Sequence, residues 1–145
     1  MIITDTGFWL ALANRRDRWH PAATKWLSQS SEGLITTWPV ATETCHLLLN
    51  RIGERAQRAF VQSLRDGAAE VFPIDSRHLP RMVELMQRYA ELPMDLADAS
   101  LVVLAEALGH GRIVSTDERD FRTYRWKRHA PFENQLHENA GPKKR

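Results

Sequence analysis

Residues 95–117 of this chain read DLADASLVVLAEALGHGRIVSTD, and this stretch decides the fold class. Asp95 is a preferred residue type for a helix N-cap, the apolar run behind it predicts a helix over Leu96–Leu108, and Gly109 is typical of the position after a helix. The short β-branched run within Arg112–Ser115 predicts a buried strand, which Asp117 follows. A helix that leads into a buried strand is the repeating unit of α/β proteins with parallel sheets.

The same alternation continues on both sides of this stretch. Further strands are predicted at Ile2–Ile3, Leu34–Thr37, Val71–Ile74 and Thr123–Trp126. Helices are predicted over Phe8–Leu12, Pro21–Gln29, Pro39–Arg51, Glu54–Arg65 and a segment that begins at Asp75 or Ser76. Pro73 indicates that its strand lies at a sheet edge, because proline cannot donate to the ladder. The pattern predicts an α/β domain with a largely parallel sheet.

Length and composition describe an ordinary globular protein. The 145 residues are 43% hydrophobic and 26% charged, which predicts one domain and excludes a disordered or collagen-like chain. A single cysteine, Cys45, excludes an intramolecular disulfide and fits a reducing compartment. The N-terminus has no signal-peptide pattern, and the longest apolar run is far shorter than the ~18 residues of a membrane span. We therefore expect a soluble cytoplasmic protein without membrane contact.

Charge is distributed unevenly along the chain. The formal net charge is +2, yet residues 119–145 contain eight Lys and Arg residues against three acids, so the first 118 residues carry −3. Basic residues interleaved with aromatic ones can follow a phosphate backbone and stack bases, although a solvated strand with one buried face explains the pattern equally well. The RNA-binding candidates are Arg119, Arg122, Arg125, Lys127 and Arg128, with a second patch at Arg15 and Arg16.

Four acids fall where an α/β protein places its ligands. Asp5 and Asp117 each follow a predicted strand, and parallel sheets bind ligands beyond the carboxyl ends of their strands. Glu43 and Asp98 lie in helices among apolar residues, where a carboxylate is costly unless it is paired or binds a cation. Structural roles remain open for several of them: Asp5 as a strand end, Asp95 and Asp117 as caps, and Glu43 as a partner of Arg51 or Arg81.

A divalent cation would relieve the repulsion between such carboxylates, as would protonation. Oxygen ligands favour Mg²⁺ or Mn²⁺. The six histidines are scattered without a zinc-binding spacing, so a structural zinc site is not indicated.

Four segments carry a resemblance to a known family. They are IITDT at residues 2–6, ATET at 41–44, MDLADASL at 94–101 and IVSTDERDF at 113–121. In order and spacing these segments resemble the PIN domain, and the chain looks most like the small single-domain PIN proteins typified by VapC toxins. The resemblance covers about residues 1–130, nearly the whole chain.

The resemblance implies a three-layer α/β/α sandwich with a mostly parallel central sheet over residues 1–136, followed by a basic, flexible tail over 137–145. It implies a Mg²⁺- or Mn²⁺-dependent endoribonuclease, usually a homodimer, paired with a small antitoxin protein. The family's four acids, which bind the metal and carry the catalysis, match Asp5, Glu43, Asp98 and Asp117. Asp95, Thr6 and Ser115 match positions around those ligands, whereas Asp120 is expected to be structural.

Two other classes of α/β protein also place an aspartate after a strand. A haloacid-dehalogenase-type phosphatase requires a second aspartate two residues after the first, and Gly7 stands there. A receiver domain requires a phospho-acceptor aspartate with Thr and Lys at later strand ends, which we do not find. The alternatives that remain are a PIN-fold module that binds RNA or protein without cutting, and a housekeeping RNA-processing nuclease.

Overall fold

The computed structural model describes residues 1–136, so the predicted tail over 137–145 lies outside the described residues. Its strands in chain order are β1 (Ile2–Thr4), β2 (Leu34–Thr37), β3 (Glu70–Phe72), β4 (Arg112–Val114), β5 (Arg125–Trp126), β6 (Ala130–Pro131) and β7 (Glu133–Asn134). Its helices are α1 (Thr6–Ala13), α2 (His20–Gln29), α3 (Trp38–Arg51), α4 (Glu54–Arg65), α5 (Leu79–Arg88), α6 (Leu96–Leu108) and α7 (Glu118–Thr123). A 3₁₀ turn at Ser76–His78 precedes α5.

The central sheet has five parallel strands in the order β3-β2-β1-β4-β7. The chain first moves outward from β1 to β3 and then returns to β4 on the other side of β1. Because crossovers between parallel strands are right-handed, α1–α4 cover one face of the sheet and α5 and α6 cover the other. The predicted α/β/α sandwich with a parallel sheet is therefore confirmed.

Helix α6 forms as the sequence predicts. Asp95 caps it by accepting a hydrogen bond from the Asp98 amide at 2.8 Å, and Gly109 ends it with a left-handed φ of 78°. Its residues from Ala99 to Ala105 are all buried between the sheet and α5. This is why the helix is apolar around most of its circumference.

The sheet edges differ partly from the sequence prediction. β3 does lie at an edge, and it ends at Phe72 instead of Ile74, because Pro73 has no N–H to donate. At the other edge the structure adds β7, whose two residues are too short to show any alternation in the sequence. Of the strand predicted at Thr123–Trp126, only Arg125–Trp126 pairs, and it does so in a separate hairpin with β6.

No helix in the described part of the chain combines the length and the apolar character that crossing a membrane requires.

Gly7 allows α1 to lie directly against the loop that follows β4. A Cβ atom at this position would stand 1.9 Å from Thr116 Oγ1 and 3.2 Å from Thr116 Cβ. Both distances are shorter than ordinary van der Waals contacts. A side chain as small as alanine would therefore push the loop away from α1.

We expect Gly7→Ala to lower the free energy of unfolding by about 1–3 kcal/mol, because it overpacks this contact. Adding Thr116→Ala removes the nearer atom, Oγ1, and should recover part of the loss. Urea unfolding of wild type and of both variants measures this, and a Gly7→Ala midpoint equal to that of wild type would contradict the packing argument.

Candidate active site

A cavity of about 260 Å³ opens at the carboxyl ends of β1 and β4, where several helices begin. Six carboxylate side chains line it, and they come from four separate parts of the chain: Asp5, Glu43, Asp95, Asp98, Asp117 and Asp120. The four acids predicted as ligands, Asp5, Glu43, Asp98 and Asp117, are thus brought together in one cavity.

Asp5 is the most enclosed of these acids, with 6% of its surface exposed. One carboxylate oxygen caps α1 by accepting from the Phe8 amide at 2.9 Å, and the other accepts a short hydrogen bond from the Ser115 hydroxyl. Both oxygens are therefore held in place. Ser115 lies just after β4, so this bond joins the ends of two neighbouring central strands.

Ser115 also holds the loop that carries Asp117. Its hydroxyl oxygen accepts from the Asp117 amide at 2.9 Å, and its own amide donates to the Asn134 side chain at 3.0 Å. Asp117 caps α7 by accepting from the Asp120 amide at 3.0 Å. Ser115, which the sequence predicts to lie around the ligands, thus contacts Asp5 and holds the loop of Asp117.

Glu43 enters the cavity from the interior of α3. Its Oε1 accepts a hydrogen bond of 2.5 Å from the Thr6 hydroxyl at the start of α1. The suggested structural partner Arg81 instead pairs with Glu84 and Glu106. Thr6 therefore orients Glu43. The sequence predicts Thr6 only as a residue around the ligands.

Asp98 enters from the first turn of α6, one turn after Asp95. Its Oδ2 accepts a hydrogen bond of 3.1 Å from the hydroxyl of Tyr124. Asp95 keeps its predicted role as N-cap and lines the cavity as well.

Burial is the main reason why these carboxyl groups hold protons more tightly than usual. It raises the pKa of Asp5 to about 7, with smaller contributions from the charges of Asp117 and Glu43. Burial and the Asp95 charge raise the pKa of Asp98 to about 8. Burial and the neighbouring Asp120 raise the pKa of Asp117 to about 6, and the pKa of Glu43 is also raised, by burial and by Asp95. The cavity is therefore poorly suited to hold all its negative charges without a counter-ion.

The chemistry of the donors fits a hard divalent cation, since every candidate ligand is a carboxylate or hydroxyl oxygen. Within residues 1–136, no three His, Cys, Asp or Glu side chains lie close enough together to hold one ion at once. Mg²⁺ commonly keeps several waters and binds only one or two carboxylates directly, so this spacing remains compatible with it.

The predicted RNA-binding residues lie on three parts of the chain: α7, the β5–β6 hairpin and the loop after α1. Arg119 lies beside the cavity, with Nε 3.5 Å from Asp120 Oδ1, and Arg122 follows on the same short helix. The Arg125 guanidinium turns back to donate to the carbonyls of residues 122–124. Lys127 donates its amide to Glu106, which is eight residues along α6 from Asp98, or about 12 Å along the helix axis.

Arg128 follows Lys127 directly in the chain and shares its position. Its carbonyl accepts a hydrogen bond from Arg88 at the end of α5. Arg15 and Arg16 follow the last residue of α1, whose first turn lies at the cavity, about 10 Å away along the helix axis. That these two arginines bind RNA stays a prediction.

An apolar groove of about 700 Å³ adjoins the cavity and shares Glu43 and Asp95 with it. Trp38, Leu79 and Leu96 line this groove, and each leaves about half of its surface exposed.

Sequence reasoning did not place Asp120 and Tyr124 in the site. Asp120 could have been found, because its i, i+3 spacing from Asp117 puts both acids on one face of a helix, as for Asp95 and Asp98. Tyr124 gives no such signal, since its contact with Asp98 spans 26 residues and depends on how α7 packs.

Comparisons with known proteins agree with this geometry. Residues 2–127 match the family model of the PIN domain. Ribonuclease VapC26 of Mycobacterium tuberculosis is 27% identical over 124 residues, which are 86% of this chain and 92% of that protein. The crystal structure of Mycobacterium tuberculosis VapC20, a toxin that cleaves the sarcin-ricin loop, superposes with a TM-score of 0.76 and 26% identity, covering 82% of this chain and 92% of the other. The chain therefore belongs to the PIN-domain family.

Proposed function

We propose that this protein is a metal-dependent endoribonuclease and the toxin component of a toxin-antitoxin pair. The observation that carries the proposal is the convergence of six carboxylates in one cavity at the strand ends of a PIN domain. The ribonuclease and toxin names of its relatives VapC26 and VapC20 support the same activity. A housekeeping RNA-processing nuclease would use the same site, and we favour the toxin because both relatives are VapC proteins.

The acids of the cavity have different roles in phosphodiester hydrolysis. Asp5, Asp98 and Asp117 would hold Mg²⁺ or Mn²⁺, directly or through water. Such an ion, when bound, neutralises charge on the phosphate and lowers the pKa of water. Glu43, oriented by Thr6, would accept a proton from the attacking water. Water adds to phosphorus, the 3′ oxygen leaves, and the products carry a 5′-phosphate and a 3′-hydroxyl.

The first test is cleavage of labelled single-stranded RNA. Wild type is expected to cut with Mg²⁺ or Mn²⁺ and not with EDTA, and Asp5→Asn should lower the rate by at least ~100-fold because the charge of a ligand is removed. Asparagine can still cap α1 with its single oxygen, and its amide nitrogen can donate to the Ser115 hydroxyl oxygen, so the fold should survive.

Asp66→Asn is the matched control, because Asp66 is exposed and pairs only with its neighbour Arg65 in the described network. It should cut like wild type. A wild-type protein that binds RNA without cutting it in any metal would instead establish the non-cutting PIN module.

Metal binding should also change how the melting temperature depends on pH. Asp5, Asp98 and Asp117 have raised pKa values in the folded protein, so folding binds protons and stability falls as the pH rises from about 4 to about 8. We expect the metal-free protein to melt several degrees lower at pH 8.5 than at pH 5.5. Mn²⁺ should raise the melting temperature most at pH 8.5, where protons no longer compete for the carboxylates.

Thermal melts with EDTA measure the pH dependence, and melts with Mn²⁺ measure the stabilisation by metal. Asp98→Asn is compared with wild type in both. This variant lacks one of the shifted carboxyl groups, so its metal-free melting temperature should depend less on pH. A wild-type protein whose metal-free stability increases between these pH values would contradict the assignment.

For RNA binding, we propose that Arg119 and Arg122 on α7 contribute most, since they lie nearest to the cavity among the basic candidates. The Arg125 side chain contacts the end of α7, Lys127 contacts the far end of α6, and Arg128 contacts the end of α5. Arg15 and Arg16 follow the far end of α1. A substrate phosphate in the cavity would thus reach α7 first.

We expect the double variant Arg119→Ala/Arg122→Ala, made in the Asp5→Asn background, to weaken RNA binding and to reduce its salt dependence. Removing one ion pair with a phosphate lowers the slope of log affinity against log salt by about 0.7 for a single strand. Arg15→Ala/Arg16→Ala should have a smaller effect. Fluorescence anisotropy at several salt concentrations gives both slopes, and the reverse order would move the RNA path to α1.

As partners we propose a small antitoxin and a second copy of this chain, acting in the cytoplasm. The half-exposed Trp38, Leu79 and Leu96 of the groove support a protein contact, because exposed apolar surface of this kind is typical of interaction sites. The acids that the groove shares with the cavity would attract a basic residue of the partner.

A further inference from the structure

We propose that Tyr124 is a positioning residue that holds one oxygen of Asp98 so that the other faces the cavity. This role rests on the proposed function, because the direction of Asp98 matters only if Asp98 binds the metal ion. The contact that carries it is the 3.1 Å hydrogen bond between the Tyr124 hydroxyl and Asp98 Oδ2.

The surroundings of Tyr124 give its hydroxyl one direction. The side chain is completely buried at the end of α7, and its ring meets Tyr89 and Phe121 edge-on, at centroid distances of 5.0 and 5.3 Å. A ring enclosed in this way cannot swing its hydroxyl to another partner. The Tyr124 hydroxyl is the donor of this bond, and a carboxylate that is ionised to bind a cation can only accept.

Asp98 needs such a donor more than most of its neighbours. Asp5, Asp95 and Asp117 are each held by a backbone amide at a helix N-cap. Asp98 lies inside the first turn of α6, and the negative charge of Asp95 acts on it from one turn away. Repulsion would turn the Asp98 side chain aside, and the Tyr124 hydroxyl opposes this turn.

Glu43 in α3 is also oriented by a hydroxyl group. It too lies inside a helix, and the Thr6 hydroxyl holds one of its oxygens. Of the three acids that come from within helices, Glu43 and Asp98 are thus oriented by hydroxyl groups, and Asp120 faces Arg119. The three acids at helix starts accept hydrogen bonds from amides.

Tyr89 provides a matched control for Tyr124. Its ring belongs to the same aromatic cluster, but its hydroxyl accepts a hydrogen bond from the Arg125 amide at 3.0 Å. Replacing either tyrosine by phenylalanine removes one hydrogen-bonded hydroxyl and keeps the ring. Of these two hydroxyl groups, only that of Tyr124 is hydrogen-bonded to an acid of the cavity.

The experiment measures Mn²⁺ binding by calorimetry, with thermal melts, for wild type, Tyr124→Phe and Tyr89→Phe. Tyr124→Phe should weaken Mn²⁺ binding by about 10-fold or more, as expected when a group that orients a ligand is removed. Tyr89→Phe should bind Mn²⁺ like wild type, although its thermal stability also falls. Cleavage by Tyr124→Phe should recover as Mn²⁺ is raised, since the ligand itself remains.

Two results would overturn the proposal: unchanged Mn²⁺ affinity in Tyr124→Phe, or an equal loss of affinity in Tyr89→Phe, which would mean general loosening of the aromatic cluster. Wild type that binds Mn²⁺ without cutting RNA would remove the proposed function and leave the role of Tyr124 intact. Wild type that binds no Mn²⁺ would remove both.

Discussion

Capping hydrogen bonds place half of the cavity's carboxylates, so the same side chains begin the helices and supply the charge of the site. Asp5, Asp95 and Asp117 each accept a backbone amide from the first turn of the helix that follows. The helix N-terminus favours a negative charge, which offsets part of the repulsion between the acids. The structural and functional interpretations of these three residues are therefore compatible, because an ionised carboxylate has about four lone-pair sites and a cap uses one of them.

The parallel sheet explains why the acids meet. β1 and β4 are adjacent and parallel, so Asp5 and Asp117 leave the sheet at the same edge, and Ser115 connects them. Gly7 lets α1 approach the loop after β4 closely enough for this connection. The remaining acids arrive on α3 and α6, which pack against each other beside this edge, and on α7.

The cost of this arrangement is electrostatic. Enclosed carboxylates with raised pKa values destabilise the folded chain at neutral pH unless a cation is present. Such local instability is typical of sites built for binding and not for stability. Six acids are gathered in the cavity, whereas the basic RNA-binding candidates lie on α7, on the β5–β6 hairpin and after the end of α1.

Much of this could be predicted from local sequence. Helix α6 begins and ends at its predicted residues, because Asp95 and Gly109 are strong capping signals, and the four ligand candidates follow from acids after strands or inside apolar helices. α7 and β7 are too short for a periodic pattern, so the sequence alone did not predict them.

Local sequence signals predict the order of the longer helices and central strands, and they predict which acids lie at the ends of these elements. Capping and periodicity suffice for this, because both act within a few residues. Packing of the folded chain is what brings Tyr124 to Asp98 and places Lys127 at the far end of α6. These placements depend on contacts between segments distant in the chain, whose geometry is set by packing and leaves no local pattern.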